Sequence, residues 1–156
     1  MPVTVVRHAH ALSRSEWEGD DAARMLSRQG IKQARLLAAR LIELKPSRVL
    51  SSPYVRCMDT VRPLGAAAGL AVEGDDRLAE GAGRQAVELV RSLSAAGEDA
   101  VLCSHGDVIP EILATLANED RVDLGPAPKV EKAGIWLLYG EGGRFSSATY
   151  IKPPKV

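Results

Sequence analysis

The 156 residues predict an α/β domain, a three-layer sandwich in which a mostly parallel sheet is flanked by helices. Short apolar runs at 2–6, 48–51 and 100–103 alternate with stretches whose apolar residues recur every three or four positions, the pattern of strands alternating with helices. The chain is 46% apolar but only 4% aromatic, so the core is expected to consist of Ala, Leu, Val and Ile. Two last apolar runs, Ile135 to Tyr139 and Phe145 to Ile151, are joined by Gly140-Glu141-Gly142-Gly143 and read as a hairpin at one sheet edge.

Pro2 to Val6 is β-branched, as a buried strand is. Residues 11–26 are polar and irregular, with a turn at Gly19-Asp20-Asp21. Ser27 is placed to cap a helix from Arg28 to Leu44, with Ile31, Ala34, Ala38, Leu41 and Ile42 on its buried face. Arg48 to Ser51 is a second strand. Ser52-Pro53 then sets a capping residue before a proline at the first helical position. The helix that follows carries Tyr54, Met58, Val61, Leu64 and Ala68 on one side and stops at Gly69. Leu70 to Val72 reads as a short strand and 73–83 as loop. Arg84 to Ala95 reads as a helix halted by Gly97, and Ala100 to Cys103 as a strand. Asp107 reads as the cap of a fourth helix, with Pro110 in its first turn. The tail 153–156 reads as loose. There is no repeat or linker, so 1–156 is expected to form one domain.

Several function classes are excluded. Twenty basic and twenty acidic residues cancel, which argues against coating a nucleic-acid polymer by bulk charge but leaves room for a local phosphate pocket. No apolar run approaches the roughly 20 residues needed to span a bilayer. The start MPVTVVRHAH reaches Arg and His too soon for a secretory signal. Cys57 and Cys103 form no CxxC pattern and read as reduced thiols of a cytoplasmic protein. A cysteine phosphatase needs Cys, five residues, then Arg. That position after Cys57 is Pro63, and no Arg is in reach of Cys103.

Chemistry gathers where strands end, the edge at which open α/β sheets bind ligands. The first predicted strand ends in Arg7-His8-Ala9-His10, the second in Ser51-Ser52-Pro53 ahead of Arg56, and the third in Ser104-His105-Gly106. Arg7 and Arg56 offer permanently charged forks for phosphate oxygens. A neutral imidazole is a competent nucleophile near pH 7, and a protonated one donates to the same oxygens. Phosphoryl transfer is mainly positioning and charge neutralisation, so two Arg and two His around one point meet its demands without a metal or other cofactor. His8 is the expected nucleophile. Glu80, in the loop before a helix, is the best candidate for the proton donor, against the alternative of a solvated glutamate, because a carboxyl near a crowded anion holds its proton longer.

Val5-Val6-Arg7-His8, Ser52-Pro53-Tyr54-Val55-Arg56 with Thr60, and Ser104-His105-Gly106 together resemble the histidine phosphatase, or phosphoglycerate-mutase-like, superfamily over residues 3 to about 140. The resemblance implies a phosphohistidine on His8, a phosphate pocket of Arg7, Arg56 and His105, and Glu80 at the position where many members carry the proton donor. The short length is similar to the compact SixA-like branch. Gly19-Asp20-Asp21 with Arg24, Val55-Arg56-Cys57 with Thr60, and Val108-Ile109-Pro110 are closer still to the phosphatase domain fused behind MutT-type Nudix domains. No Nudix motif is present, and a free-standing relative is implied. Arg24 is a candidate for reaching the pocket. The family usually has Gly after the nucleophile, where this chain has Ala9.

The resulting expectation is a metal-independent phosphohydrolase acting on a small phosphorylated substrate, by preference of nucleotide type, with no membrane or nucleic-acid partner. A protein phosphohistidine phosphatase is the alternative. Two rivals remain: a metal hydrolase using His8-Ala9-His10 with His105 and Asp107, and a non-catalytic phosphate-binding module. His10, Ser52, Ser104 and Trp17 admit both site roles and ordinary solvated, turn, capping or packing roles. Oligomeric state is not readable from the sequence.

Overall fold

A computed structural model describes residues 2–156. Its sheet has six strands: β1 (Pro2–Arg7), β2 (Arg48–Ser51), β3 (Val72–Gly74), β4 (Ala100–Ser104), β5 (Ile135–Glu141) and β6 (Arg144–Ile151), in the order β3-β2-β4-β1-β5-β6. The first four are parallel. β5 runs antiparallel to β1, and β6 to β5, so the expected hairpin closes one edge. Gly142 and Gly143 both take positive φ in its two-residue turn, a conformation side chains resist.

Alternation along the strands builds two apolar layers. Val3, Val5, Leu50 and Leu102 face α3 (Gly83–Ala95) and α4 (Val108–Glu119). Val6, Val49, Val101 and Cys103 face α1 (Arg28–Leu41) and α2 (Val55–Ala68). The three-layer architecture is the one the sequence predicted. No helix among the described residues is long and apolar enough to cross a membrane.

Local departures from the predicted elements have physical causes. Ser27 caps α1 as expected, its side chain accepting from the Gly30 N–H, but the helix gives way to a 3-10 turn at Ile42–Leu44. Its buried face runs through Gly30, Gln33, Ala34, Leu37, Ala38 and Leu41, and Ile31 is 46% exposed. Gly30 fixes that rotation, because a Cβ there would lie within 1.9 Å of the His10 carbonyl oxygen. α2 begins at Val55 with Tyr54 at its cap position and no side-chain cap; the Ser52 hydroxyl accepts from the Tyr54 N–H and pairs with His105. Its buried face is Arg56, Cys57, Thr60, Val61, Leu64 and Gly65, about one position round from the predicted one. Gly69 ends the helix in the left-handed region, and Leu70 is drawn into the cap by donating to the Gly65 carbonyl, which delays β3 to Val72. A 3-10 turn, Asp76–Leu78, interrupts the loop before α3. In the tail, Pro154 is buried and the Lys152 carbonyl accepts from Arg40.

Candidate active site

β1, β4 and β2 are adjacent, so the residues that follow them meet at one edge. Beyond β1 the ladder continues: the His8 N–H donates to the Ser104 carbonyl. The Ala133 N–H donates to both Arg7 and His8 carbonyls, at 3.0 and 3.1 Å, and the Arg7 N–H to Gly134. Ala133 takes φ +64° to reach them, a left-handed conformation that costs a non-glycine residue about 1–2 kcal/mol. The cradle behind the nucleophile is therefore held from both neighbouring strands.

A cavity of about 610 Å³ opens at this edge, lined by Arg7, His8, Arg24, Arg56, Glu80 and His105. All six residues singled out for the site are thus brought together. The His8 and His105 ring centroids are 5.6 Å apart at 65°, close enough to share one anion.

His8 is 6% exposed. Its Nδ1 lies 2.8 Å from the Ala9 carbonyl oxygen, which only accepts, so Nδ1 carries the proton and Nε2 keeps the lone pair. Burial lowers its pKa to about 3, partly countered by the Ala9 carbonyl and reinforced by the charges of Arg56, His105 and Arg7. The ring is a neutral nucleophile at any ordinary pH.

Arg56, 1% exposed, is fixed by three oxygens. Nη1 donates to the Asp21 carbonyl, and Nη2 to the Asp21 carboxylate at 3.2 Å and to Glu80 Oε1 at 2.6 Å. Arg7 donates Nη1 to the Val130 carbonyl at 2.7 Å, and burial lowers its pKa. Each of these guanidiniums retains a buried Nε–H without an acceptor. Such donors are costly to leave unpaired, and phosphoryl oxygens are the acceptors a cationic fork suits. Gly106 is required here, since a Cβ would come within 2.8 Å of the Arg7 guanidinium carbon.

His105, 1% exposed, has Nε2 in hydrogen-bond contact with Ser52 Oγ at 2.8 Å and Nδ1 3.5 Å from Glu80 Oε1. Glu80 thus sits between Arg56 and His105. Arg24 reaches the cavity from its anchor on the Asp21 carboxylate and the Leu12 carbonyl. Thr60 ties the nucleophile's loop to α2, its hydroxyl accepting from the Ala9 N–H and donating to the Arg56 carbonyl. Ala9 itself is fully buried in the apolar layer beneath α1 and α2 and is not among the cavity-lining residues.

Other candidates take different places. His10 turns to Ser27, Nδ1 to Oγ 2.6 Å, outside the cavity. Among the described residues no group of three His, Cys, Asp or Glu side chains is placed to hold a metal ion, so the His8-His10-His105-Asp107 set of the metal-hydrolase rival is not assembled. Ser104 donates to the Leu78 carbonyl. Asp107 stands at the N-cap position of α4, but its side chain makes no capping hydrogen bond. Its carboxylate accepts from the Gly81 N–H at 2.8 Å and so steadies the loop that carries Glu80. Trp17 donates to the Asp20 carbonyl and lines an adjoining depression of about 380 Å³ that shares Arg14 and Arg24 with the main cavity. Sequence reasoning missed Asp21 as the brace of two arginines, Asp107 as a loop anchor, and Ser13, Arg14 and Lys132 as lining. Of these, the sequence marks the Gly19-Asp20-Asp21 stretch, and Asp107 only as a helix cap and metal candidate.

Comparison with known proteins agrees with this geometry. Residues 3–86 match the family model of the histidine phosphatase superfamily (branch 1). The chain is 31% identical over 157 residues to an 8-oxo-(d)GTP phosphatase of Mycolicibacterium smegmatis, covering 97% of this chain and 48% of the relative, about half its length. Among solved structures, the protein histidine phosphatase SixA complexed with tungstate superposes with a TM-score of 0.77 at 24% identity, over 97% of this chain and 95% of that one. A mycobacterial glucosyl-3-phosphoglycerate phosphatase superposes with a TM-score of 0.73 at 20% identity, over 96% of each. The fold, the convergence of the three motifs and the family match lead to one conclusion: the chain belongs to the histidine phosphatase superfamily.

Proposed function

We propose that the protein is a metal-independent phosphohydrolase that works through a phosphohistidine on His8, with small nucleotide-type phosphates as its substrates. The observation that carries this reading is the state of His8: a neutral imidazole whose Nδ1–H is spent on the Ala9 carbonyl, facing a cavity lined by Arg7, Arg56 and His105. Nε2 attacks phosphorus, an N–P bond forms and the bond to the leaving oxygen breaks. Arg7, Arg56 and His105 take up charge on the transferring group. Glu80, beside Arg56 and His105 at the cavity, takes up the proton that the monoanionic phosphoryl group brings in and gives it to the leaving oxygen. Water then attacks the phosphohistidine, Glu80 takes back a proton, and orthophosphate leaves with His8 restored.

The nucleotide preference is supported by the sequence likeness to the 8-oxo-(d)GTP phosphatase and by Trp17, whose indole lines the depression next to the cavity and offers a stacking face to a base. Two free buried cysteines fit a reducing compartment, and we place the protein in the cytoplasm on that ground.

The test is turnover of nucleotides, sugar phosphates, an aryl phosphate and a phosphohistidine protein, all with chelator present, with trapping of the phosphoenzyme. Wild type is expected to turn over nucleotides and to yield an acid-labile, base-stable phosphoenzyme. His8→Ala is expected to lose turnover by about a thousandfold or more and to form no phosphoenzyme. Full activity in His8→Ala, or activity abolished by chelator, refutes the mechanism. Turnover of the phosphohistidine protein alone reassigns the substrate and leaves His8 in its role.

A further inference from the structure

We propose that Lys132 is a specificity residue that binds a second phosphoryl group beside the one transferred to His8, so that phosphoric anhydrides of the nucleoside diphosphate kind are preferred over simple monoesters. The proposal rests on the phosphohistidine reading above and narrows its substrate class.

Every other cation of the cavity has a partner. Arg7 holds the Val130 carbonyl, Arg56 holds Asp21 and Glu80, Arg24 holds Asp21 and the Leu12 carbonyl, and Arg14 lies 3.8 Å from the Asp21 carboxylate. Among the described residues Lys132 has neither a hydrogen bond nor an ion pair, although it lines the same cavity. Its pKa is lowered by burial and by the charges of Arg7, Arg24 and Arg56. Lys132 is exposed in the turn before β5, and an anion bound between its ammonium group and the arginines of the same cavity relieves their mutual repulsion.

The backbone sets where the residue stands. Ala133, next along, is fully buried in the left-handed conformation, and its N–H is shared between the carbonyls of Arg7 and His8. The Arg7 N–H closes the clasp on the Gly134 carbonyl. A strained residue clamped to the nucleophile's own backbone fixes the Lys132 backbone at the rim of the cavity. Such an arrangement is stabilised when the ligand brings negative charge to both places. One phosphoryl group is taken up by Arg7, Arg56 and His105. A second, joined to it through a bridging oxygen, is the nearest anion a substrate offers to Lys132.

The experiment compares kcat/KM for a nucleoside diphosphate with that for an aryl phosphate in wild type, Lys132→Ala and Lys132→Arg. Alongside it, calorimetry measures binding of methylenediphosphonate relative to orthophosphate. Lys132→Ala is expected to lower the diphosphate-to-monoester ratio at least tenfold and the relative affinity for methylenediphosphonate by as much, with Lys132→Arg restoring most of both. A ratio that moves less than tenfold in Lys132→Ala, including an equal loss on both substrates, overturns the proposal. Because the calorimetry needs no turnover, it judges Lys132 even if His8→Ala refutes the phosphohistidine route.

Discussion

His8 is held neutral by burial and by neighbouring positive charge, and this has a consequence for stability. Its folded pKa of about 3 lies below the ordinary 6.5, so as pH falls the unfolded chain takes the proton first. The contribution is whole above pH 6.5 and is drained progressively as pH drops toward 3. Between pH 7.5 and 5.0, wild type is expected to lose about 2 kcal/mol more unfolding free energy than His8→Asn, which has no imidazole to charge at that position. Urea titrations of both proteins at the two pH values measure this, and equal losses would mean that the ring titrates normally. The residues behind this behaviour differ in how visible they are in the sequence. Arg7, His8, Arg56 and His105 are legible because each follows a recognisable strand and carries a group with few other uses there. Lys132 and Asp107 look like ordinary polar loop residues. What directs Lys132 to the cavity is the turn at Ala133, and alanine gives no warning of a left-handed backbone. Asp107 sits where a cap is expected, yet the Gly81 N–H from another loop claims its carboxylate.

At the scale of elements, existence was readable and rotation only in part: Ala34, Ala38 and Leu41 of α1 and Val61 and Leu64 of α2 lie on the buried faces expected of them. Spacing alone places Ile31 on the buried face of α1. The structure turns that face toward Gly30 and Gln33, because Gly30 must pass the His10 backbone and the Gln33 side-chain carbonyl accepts the His10 N–H. A polar residue mid-helix is normally read as solvent-facing, so this partner was invisible until the loop after β1 had been placed. The two rotations predict different stabilities. Leu37, 1% exposed, should cost about 2–4 kcal/mol when cut to Ala, whereas Ile31→Ala should change stability by no more than about 0.5 kcal/mol. Equilibrium unfolding of the two variants decides it, since a loss at position 31 as large as that at 37 would mean that α1 presents the face expected from spacing. The same logic applies to α2, whose buried stripe begins with Arg56 and Thr60. Its first turns are divided, Arg56 pointing into the site and Cys57 into the core, and from Val61 onward the stripe is core alone.

The whole molecule explains why three short motifs so far apart in sequence make one site. The order β2-β4-β1 lays their carboxyl ends side by side, at about 5 Å per strand, so the groups that follow them fall within reach of a single tetrahedral anion. Strand identity was legible, but adjacency depends on crossovers that no local pattern records, and it was inferred only from the chemistry at the strand ends. The convergence has a thermodynamic cost. The cavity gathers five cationic side chains, Arg7, Arg14, Arg24, Arg56 and Lys132, against the carboxylates of Glu80 and Asp107. Orthophosphate, whose binding requires the strand ends to be assembled, should therefore stabilise the folded state. At a hundred times its dissociation constant the gain is about 2.7 kcal/mol, which for a chain of this size is a rise in Tm of roughly 5–10 °C. Arg56→Lys keeps the charge but loses the fork that spans Asp21, Glu80 and the cavity, and the rise should shrink to a small fraction of the wild-type value. Thermal unfolding of both proteins with and without phosphate, at constant ionic strength set by chloride, measures it. An equal rise in the variant would show that the anion is held by diffuse charge at the cavity mouth, not by the guanidinium that α2 delivers to the ends of β1 and β4.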